Sequence, residues 1–186
     1  VSMRIALLGG TGDIGEGLAL RWGLDTAHEL VIGSRDHEKA DQRAAEYRER
    51  ISEHAVKPNI TGATNADAVD GADVVVLSVP PAHVSETVET VGSSLSAGSV
   101  IVSPAVSMSR DGDGFHYERP SDEGSITAIV NSSTPDGSPT VGAFHNISAD
   151  RLTDLDADLD VDTVVVGDDE QAKSTVTNLI HDIEGL

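Results

Sequence analysis

Short apolar runs ended by Gly, Pro or Ser alternate along this chain with longer stretches that mix Ala and Leu with charge. The first run, Arg4-Ile5-Ala6-Leu7-Leu8, stops at Gly9-Gly10. Unbroken apolar residues suit a strand buried on both faces, because a half-solvated strand would alternate. From Ile14, apolar and small residues at Leu18, Leu20 and Trp22 predict a helix that opens beside Gly12 and Gly15. Glu29-Leu30-Val31-Ile32-Gly33 predicts a second strand, followed by a charged, Ala-containing helix from Asp36, its N-cap, to about His54. A short strand near Asn59-Ile60-Thr61-Gly62 and a short helix from Asn65 to Val69 come next.

Ala72-Asp73-Val74-Val75-Val76-Leu77-Ser78-Val79 predicts another buried strand, closed by Pro80-Pro81. His83 to Leu95 is expected to be helical, and Ser99-Val100-Ile101-Val102-Ser103 to be a strand. Met108 to Ser125, rich in Gly, Asp, Ser and Arg, predicts a long loop, and loops of that length in compact domains are usually functional or mobile. A short helix from Ile126 to Asn131 follows it. Late strands are expected at Thr140-Val141-Gly142-Ala143-Phe144 and at Asp162-Thr163-Val164-Val165-Val166-Gly167, with a terminal helix from Asp169 to Ile183. Strands alternating with helices, several of them Val/Ile runs, imply an α/β fold. It is a doubly wound, mostly parallel sheet of the Rossmann dinucleotide-binding type. No repeat or linker divides the chain, so residues 1–186 are expected to form one domain.

Composition narrows the partners more than it identifies any. Of 186 residues, 32 are acidic and 12 basic, for a formal net charge of −20. Phosphate backbones and anionic membrane surfaces need Lys/Arg clusters, so neither nucleic acid nor a membrane surface is an expected partner. No run is long enough to span a bilayer and no charged-then-apolar leader precedes Arg4, so no membrane segment or signal peptide is expected. The absence of cysteine removes disulfides and thiol chemistry, and fits a cytoplasmic location. Lys39, Lys57 and Lys173 are the only lysines. An acidic, Lys-poor composition of this kind resembles that of proteins from salt-loving archaea, where carboxylates keep the surface hydrated.

Gly10-Thr11-Gly12-Asp13-Ile14-Gly15 reads G-x-G-x-x-G, placed after a strand and opening a helix. In that context Gly10 permits a tight turn and Gly12 lets the backbone approach a pyrophosphate. Gly15 lets helix and strand pack closely, and the helix N-terminus attracts the phosphate charge. The second strand ends in Gly33-Ser34-Arg35, where an NAD site usually offers Asp or Glu to the ribose 2′-hydroxyl. A hydroxyl and a guanidinium suit a 2′-phosphate instead, so NADP is the expected cofactor. Thr11 and Lys39 fall within reach of the same pocket. At the end of the middle strand, Val79 and the rigid Pro80-Pro81 pair could wall a nicotinamide ring. His83 either donates to its carboxamide or faces solvent at a helix start. Pro104 could form the opposite wall, and His145 and Asn146 end a late strand that also reaches the crevice. Asp154, Asp156, Asp158, Asp160 and Asp162 alternate in a way that suggests calcium. The loop lacks the EF-hand Gly and Glu, however, with Leu159 and Val165 in their places. No metal site and no G-x-S-x-G elbow is found.

With these residues in hand, the chain resembles the NADPH-dependent coenzyme F420 reductases (F420H2:NADP oxidoreductases) of archaea and actinobacteria, in a haloarchaeal-like form. The resemblance rests on Met3-Arg4-Ile5-Ala6-Leu7-Leu8-Gly9-Gly10-Thr11-Gly12, Gly17-Leu18-Ala19-Leu20-Arg21, and Gly33-Ser34-Arg35 with Glu38-Lys39-Ala40. Ala44-Ala45-Glu46-Tyr47-Arg48, Ile60-Thr61-Gly62 and Val166-Gly167-Asp168-Asp169 continue it. It implies that Thr11, Ser34, Arg35 and Lys39 hold the NADP phosphate, among cofactor-binding residues Gly10–Gly15, Ser34, Arg35, Lys39, Val79 and Pro80. It implies reversible hydride transfer between coenzyme F420 and NADP, with no protein nucleophile or metal; Pro80, His83, Pro104 and His145 are the ring-positioning candidates. A homodimer is implied too, as is a further family segment beyond Leu186 that the sequence as read leaves absent. Another NADP-dependent reductase, of an imine, a carbonyl or a ferric chelate, and a non-catalytic NADP-binding redox sensor are the alternative functions.

Overall fold

The computed structural model describes residues 2–120 and 124–186. Its main sheet is assembled from β1 (Arg4–Leu8), β2 (Glu29–Ser34), β3 (Ile60–Thr64), β4 (Val74–Leu77), β5 (Val100–Ser103) and β8 (Thr140–Gly142). They lie in the order β3-β2-β1-β4-β5-β8, and every neighbouring pair is parallel. Leu8 pairs with Gly33 on one side and Leu77 on the other, so the loops after β1, β2 and β4 leave the sheet level with one another.

Each strand divides its side chains between two helical layers. Ile5, Leu7, Leu30, Ile32, Val74, Val76, Val100 and Val102 pack with α1 (Asp13–Asp25), α2 (His37–Ser52), α6 (Ala149–Thr153) and α7 (Glu170–His181). Ala6, Leu8, Val31, Val75, Leu77 and Ile101 face α3 (Asn65–Val69), α4 (Val84–Val91) and α5 (Ile126–Ser133) on the other side. This explains why the strand runs are apolar without alternation. With few aromatics, the first layer centres on Trp22, whose indole N–H donates to the Leu179 carbonyl at 2.8 Å and whose ring meets Phe144 edge-on at 5.8 Å. Arg21 is buried and forms no ion pair among the described residues; its guanidinium donates to the carbonyls of Arg151, Leu152, Asp154 and Ala157 around the end of α6. Those oxygens offset the desolvation of the cation and pin α6 to α1.

The early elements form within a residue or two of expectation, including the Asp36 cap, whose carboxylate accepts from the Lys39 N–H at 3.3 Å. The expected helix from His83 to Leu95 is shorter, with 3-10 turns at Pro81–His83 and Gly92–Ser94 flanking α4. Two later expectations are corrected. Met108 to Ser125 is not simply a loop: β6 (Met108–Asp111) and β7 (Gly114–Tyr117) form an antiparallel hairpin, with Met108 opposite Tyr117 and Arg110 opposite Phe115. Both strands are solvated, so the apolar alternation that marks a strand is missing, and the two-residue Gly112-Asp113 turn sets the register. Residues 121–123 of that expected loop lie outside the described residues. Asp162 to Gly167 is not a strand of the sheet; it meets β8 at a single antiparallel bridge between Gly142 and Val166. Its valines point both ways, Val165 against the core and Val164 and Val166 into solvent. The three-residue β8 offers too short an edge to extend the ladder.

At Gly62 the backbone of β3 lies under α2 so closely that a Cβ would sit 2.4 Å from the Ala40 carbonyl carbon and the Asp41 nitrogen. Only a shift of the whole helix relieves such a contact, since both atoms are main chain. Gly62→Ala is expected to lose about 2–3 kcal/mol of stability in denaturant titration. An unchanged midpoint would contradict the packing described.

Candidate functional site

The chain passes from β3, beyond β2, across to β4 on the other side of β1, and the reversal opens a crevice at the carboxyl ends of β1 and β4. The loop Gly9–Gly12 fills its floor. Gly9, at φ +73°, donates to the Gly33 carbonyl at 3.2 Å, and a Cβ there would sit 2.7 Å from the Ser78 carbonyl oxygen. The left-handed residue of the turn is therefore Gly9. Gly10, to which the sequence assigned the tight turn, is needed because a Cβ would lie 2.7 Å from the Leu7 carbonyl oxygen. At Gly15 a Cβ would stand 2.6 Å from both the Gly10 Cα and the Ser78 Oγ, so the expected close approach of helix and strand is present. Gly12 differs: a Cβ would meet nothing nearer than the Gly9 carbonyl oxygen at 3.4 Å. The fold itself leaves room there, as it must if an external group is to approach the main chain. No side chain caps α1 at Gly12, and among the described residues the N–H groups of Asp13, Ile14 and Gly15 have no acceptor. Such a helix end favours an anion.

A cleft of about 260 Å³ extends from this loop. Thr11 and Gly12 line it together with Ser34, Arg35 and Lys39 from the β2–α2 junction and Val79, Pro80 and His83 from the end of β4. Most of the residues singled out in the sequence thus meet in one place, whereas Gly10, Asp13, Ile14 and Gly15 shape the loop and first helical turn without lining the cleft. Arg35 and Lys39 are exposed, and among the described residues neither forms an ion pair, although carboxylates outnumber basic groups so heavily. Asp36 is committed to capping α2, and its own N–H donates to the Ser34 Oγ at 3.2 Å. Ser78 ties the ends of β4 and β1 together through its hydroxyl, which donates to the Leu8 carbonyl at 2.9 Å.

Four residues of the cleft escaped sequence reading: Asn65, Glu86, Thr87 and Thr90. The buried Oδ1 of Asn65 has no partner. Its signal was position alone, at the end of β3 where α3 starts. The others lie on α4; the Thr87 and Thr90 hydroxyls donate to the carbonyls one turn back, and Glu86 stands 3.6 Å from His83.

The remaining candidates lie elsewhere. Pro104 is buried beyond the end of β5 and does not line the cleft. His145 opens instead into a second cleft of about 540 Å³ along β8, with Ser125, Thr127, Asn131 and Asp168. Its Nε2 is 3.4 Å from the Thr127 Oγ1, and burial lowers its pKa below the usual histidine value of 6.5. Asn146 is structural: its amide donates to the Asp162 carbonyl at 2.7 Å and accepts from the Thr163 hydroxyl at 3.0 Å. Among the described residues no group of His, Asp or Glu is arranged to hold a metal, and no helix is long and apolar enough to cross a membrane. The first cleft is equipped to bind a phosphorylated ligand rather than to attack one.

Known proteins resemble this chain along most of its length. Residues 4–107 match the family model described as NADP oxidoreductase coenzyme F420-dependent. The F420-dependent NADP reductase of Methanocaldococcus jannaschii is 37% identical over 185 residues, covering 99% of this chain and 81% of the relative. That of Methanothermobacter marburgensis is 34% identical over 186 residues, with 99% and 81% covered. Among solved structures, a candidate F420-dependent NADP-reductase from Arthrobacter sp. FB24 superposes with a TM-score of 0.76 at 26% identity, covering 99% of this chain and 82% of its own. A pyrroline-5-carboxylate reductase from Coxiella burnetii, at 17% identity and TM-score 0.65 with 99% and 57% covered, shares the fold.

Because burial disfavours the charged form of His145, the midpoint of its proton uptake should lie below pH 6.5. As pH falls through that range the unfolded chain binds this proton first, so the group's effect is to lower stability toward acid. An NMR titration of the imidazole is expected to give a midpoint below 6.5; a midpoint at or above 6.5 would contradict the buried placement.

Proposed function

The chain belongs to the coenzyme F420-dependent NADP oxidoreductase family, and on that premise we propose that it transfers hydride reversibly between reduced coenzyme F420 and NADP through the crevice described. The observation that carries this reading is the pair of cations without ion-pair partners among the described residues, Arg35 and Lys39, beside Ser34 and Thr11 at the end of β2. In a chain of net charge −20, cations without carboxylate partners at the rim of a glycine loop suit a phosphate-bearing ligand. The space at Gly12 and the free N–H groups of the first turn of α1 fit a pyrophosphate.

The two rings supply the reacting atoms: a hydride passes between C5 of the deazaflavin and C4 of the nicotinamide, and a proton is released when NADP is reduced. The protein's part is to bind, orient and exclude water. Arg35 and Lys39, with Ser34 and Thr11, grip the 2′-phosphate and so select NADP over NAD. Val79 and Pro80 wall the dinucleotide, and Pro80 carries no N–H to divert it. Pro104 follows β5 and faces the same end of the sheet, because Val102 pairs with Val76 and brings it level with Ser78. His83 on the near side and the neutral His145 on the far side frame the ring region in this reading. Residues 1–186 act as one NADP-binding domain, and the family resemblance extends the reading to a homodimer. The chain spans 81% of the length of the archaeal relatives above.

Mixing the protein with NADPH and oxidised coenzyme F420 in molar salt should bleach the deazaflavin absorbance. Tight NADPH binding without turnover would instead favour a redox sensor, and turnover only with imines or carbonyls a different reductase. Arg35→Ala should weaken NADP by roughly 10- to 100-fold, the worth of a charge-assisted hydrogen bond, while leaving NAD within about twofold. Equal losses for both dinucleotides, measured by calorimetry, would remove Arg35 from the phosphate pocket.

A further inference from the structure

Tyr47 has a role in the cleft that its position does not advertise. It lies on α2, the helix that carries Lys39, and its side chain is buried on the opposite side of the glycine loop from the cleft. The phenol hydroxyl donates to the Gly10 carbonyl at 2.8 Å. Desolvation first, and then the nearby Glu16 carboxylate, raise the Tyr47 pKa well above its ordinary value of 10. Tyr47 is therefore a protonated donor at neutral pH.

The consequence follows from peptide geometry. The Gly10–Thr11 peptide is trans, so the Gly10 carbonyl and the Thr11 N–H point in opposite directions from one plane. Holding the carbonyl down toward α2 turns the Thr11 N–H up toward the cleft that Thr11 lines, where among the described residues it has no acceptor. The Gly10 N–H is bound to Leu7 at 2.9 Å and the Gly12 N–H to Gly9 at 2.8 Å, so Thr11 carries the loop donor left to a ligand. We propose that Tyr47 is a positioning residue for the pyrophosphate: its hydroxyl sets the Gly10–Thr11 peptide so that the Thr11 N–H meets a phosphate oxygen. This rests on the dinucleotide-binding reading of the crevice. It adds a mechanical link, because one helix then bears both the cation for the 2′-phosphate and the clamp on the pyrophosphate loop.

Tyr47→Phe keeps the ring and its packing and removes only the donor. Calorimetry on the folded variant should show NADP and NAD each bound about fivefold more weakly, the factor of one hydrogen bond. 2′,5′-ADP, which has a phosphate at the loop, should lose affinity in the same way. 2′-AMP, which has none there, should be unaffected. Unchanged affinities throughout would overturn the proposal, and so would an equal loss for 2′-AMP, which is what general loosening of the site would produce. If Tyr47→Phe does not fold, the wild-type protein decides. Its Thr11 amide proton should shift further downfield with NADP or 2′,5′-ADP than with 2′-AMP, and an equal shift, or none, would refute the role. Wild-type protein that binds neither dinucleotide would overturn the site reading together with this proposal. Wild-type binding that is insensitive at Tyr47 overturns this proposal alone.

Discussion

The ligand end of this molecule depends on how closely main chain approaches main chain at the end of β1. Gly9 lies against the Ser78 carbonyl and Gly15 against the Gly10 Cα, at distances that leave no space for a side chain. That contact brings the N-terminus of α1 onto the loop and levels the ends of β1, β2 and β4. The Ser78 and Tyr47 hydroxyls then fasten the same junction from two sides, one from β4 and one from α2. A single added methyl group at Gly9 or Gly15 would push apart elements that bear different parts of the cleft.

Electrostatics acts on top of this frame and selects among ligands. The chain is strongly acidic, yet its cations are not spent evenly. Arg4, Arg43, Arg50 and Lys173 pair with carboxylates, and Arg21 is consumed by backbone carbonyls. Among the described residues Arg35 and Lys39 form no ion pair at the cleft, where the neighbouring Asp36 is occupied in capping α2. Long-range repulsion from a charge of −20 works against any anion, so in the proposed reading these two groups carry more of the recognition than their number suggests. Salt screens that repulsion, since the Debye length falls to about 3 Å at 1 M, and leaves direct contacts less affected.

A hydride passed directly between two bound rings places few demands on side-chain chemistry. It asks for placement, a water-poor contact and rigid walls, all of which the backbone and proline can supply. The loop and first helical turn leave N–H groups without acceptors among the described residues, which suits an anion. Such a site is easy to overlook if function is sought as nucleophiles and bases, and easier to see as places where a glycine leaves room or a cation lacks a partner.

The sequence by itself determined the sheet's strands up to β5, the helices between them, and most of the residues that line the first cleft. These are written in local terms: apolar runs, a cap at Asp36, and glycines at one turn whose spacing fits a strand entering a helix. It did not determine the pairing of Met108–Asp111 with Gly114–Tyr117, or that Asp162 to Gly167 would touch β8 at one bridge only. Nor did it separate His145 from the cleft that holds His83, or bring Asn65 into that cleft. Those outcomes depend on which neighbours are within reach after the chain has closed on itself. Pairing in a solvated hairpin leaves no apolar alternation to read. A side chain beyond a strand end is placed by the helices packed around it rather than by residues beside it in sequence. Tyr47 shows the division most clearly. Its place on the buried face of α2 follows from helical spacing, but its bond to Gly10, far away along the chain, exists only because α2 folds beneath the glycine loop.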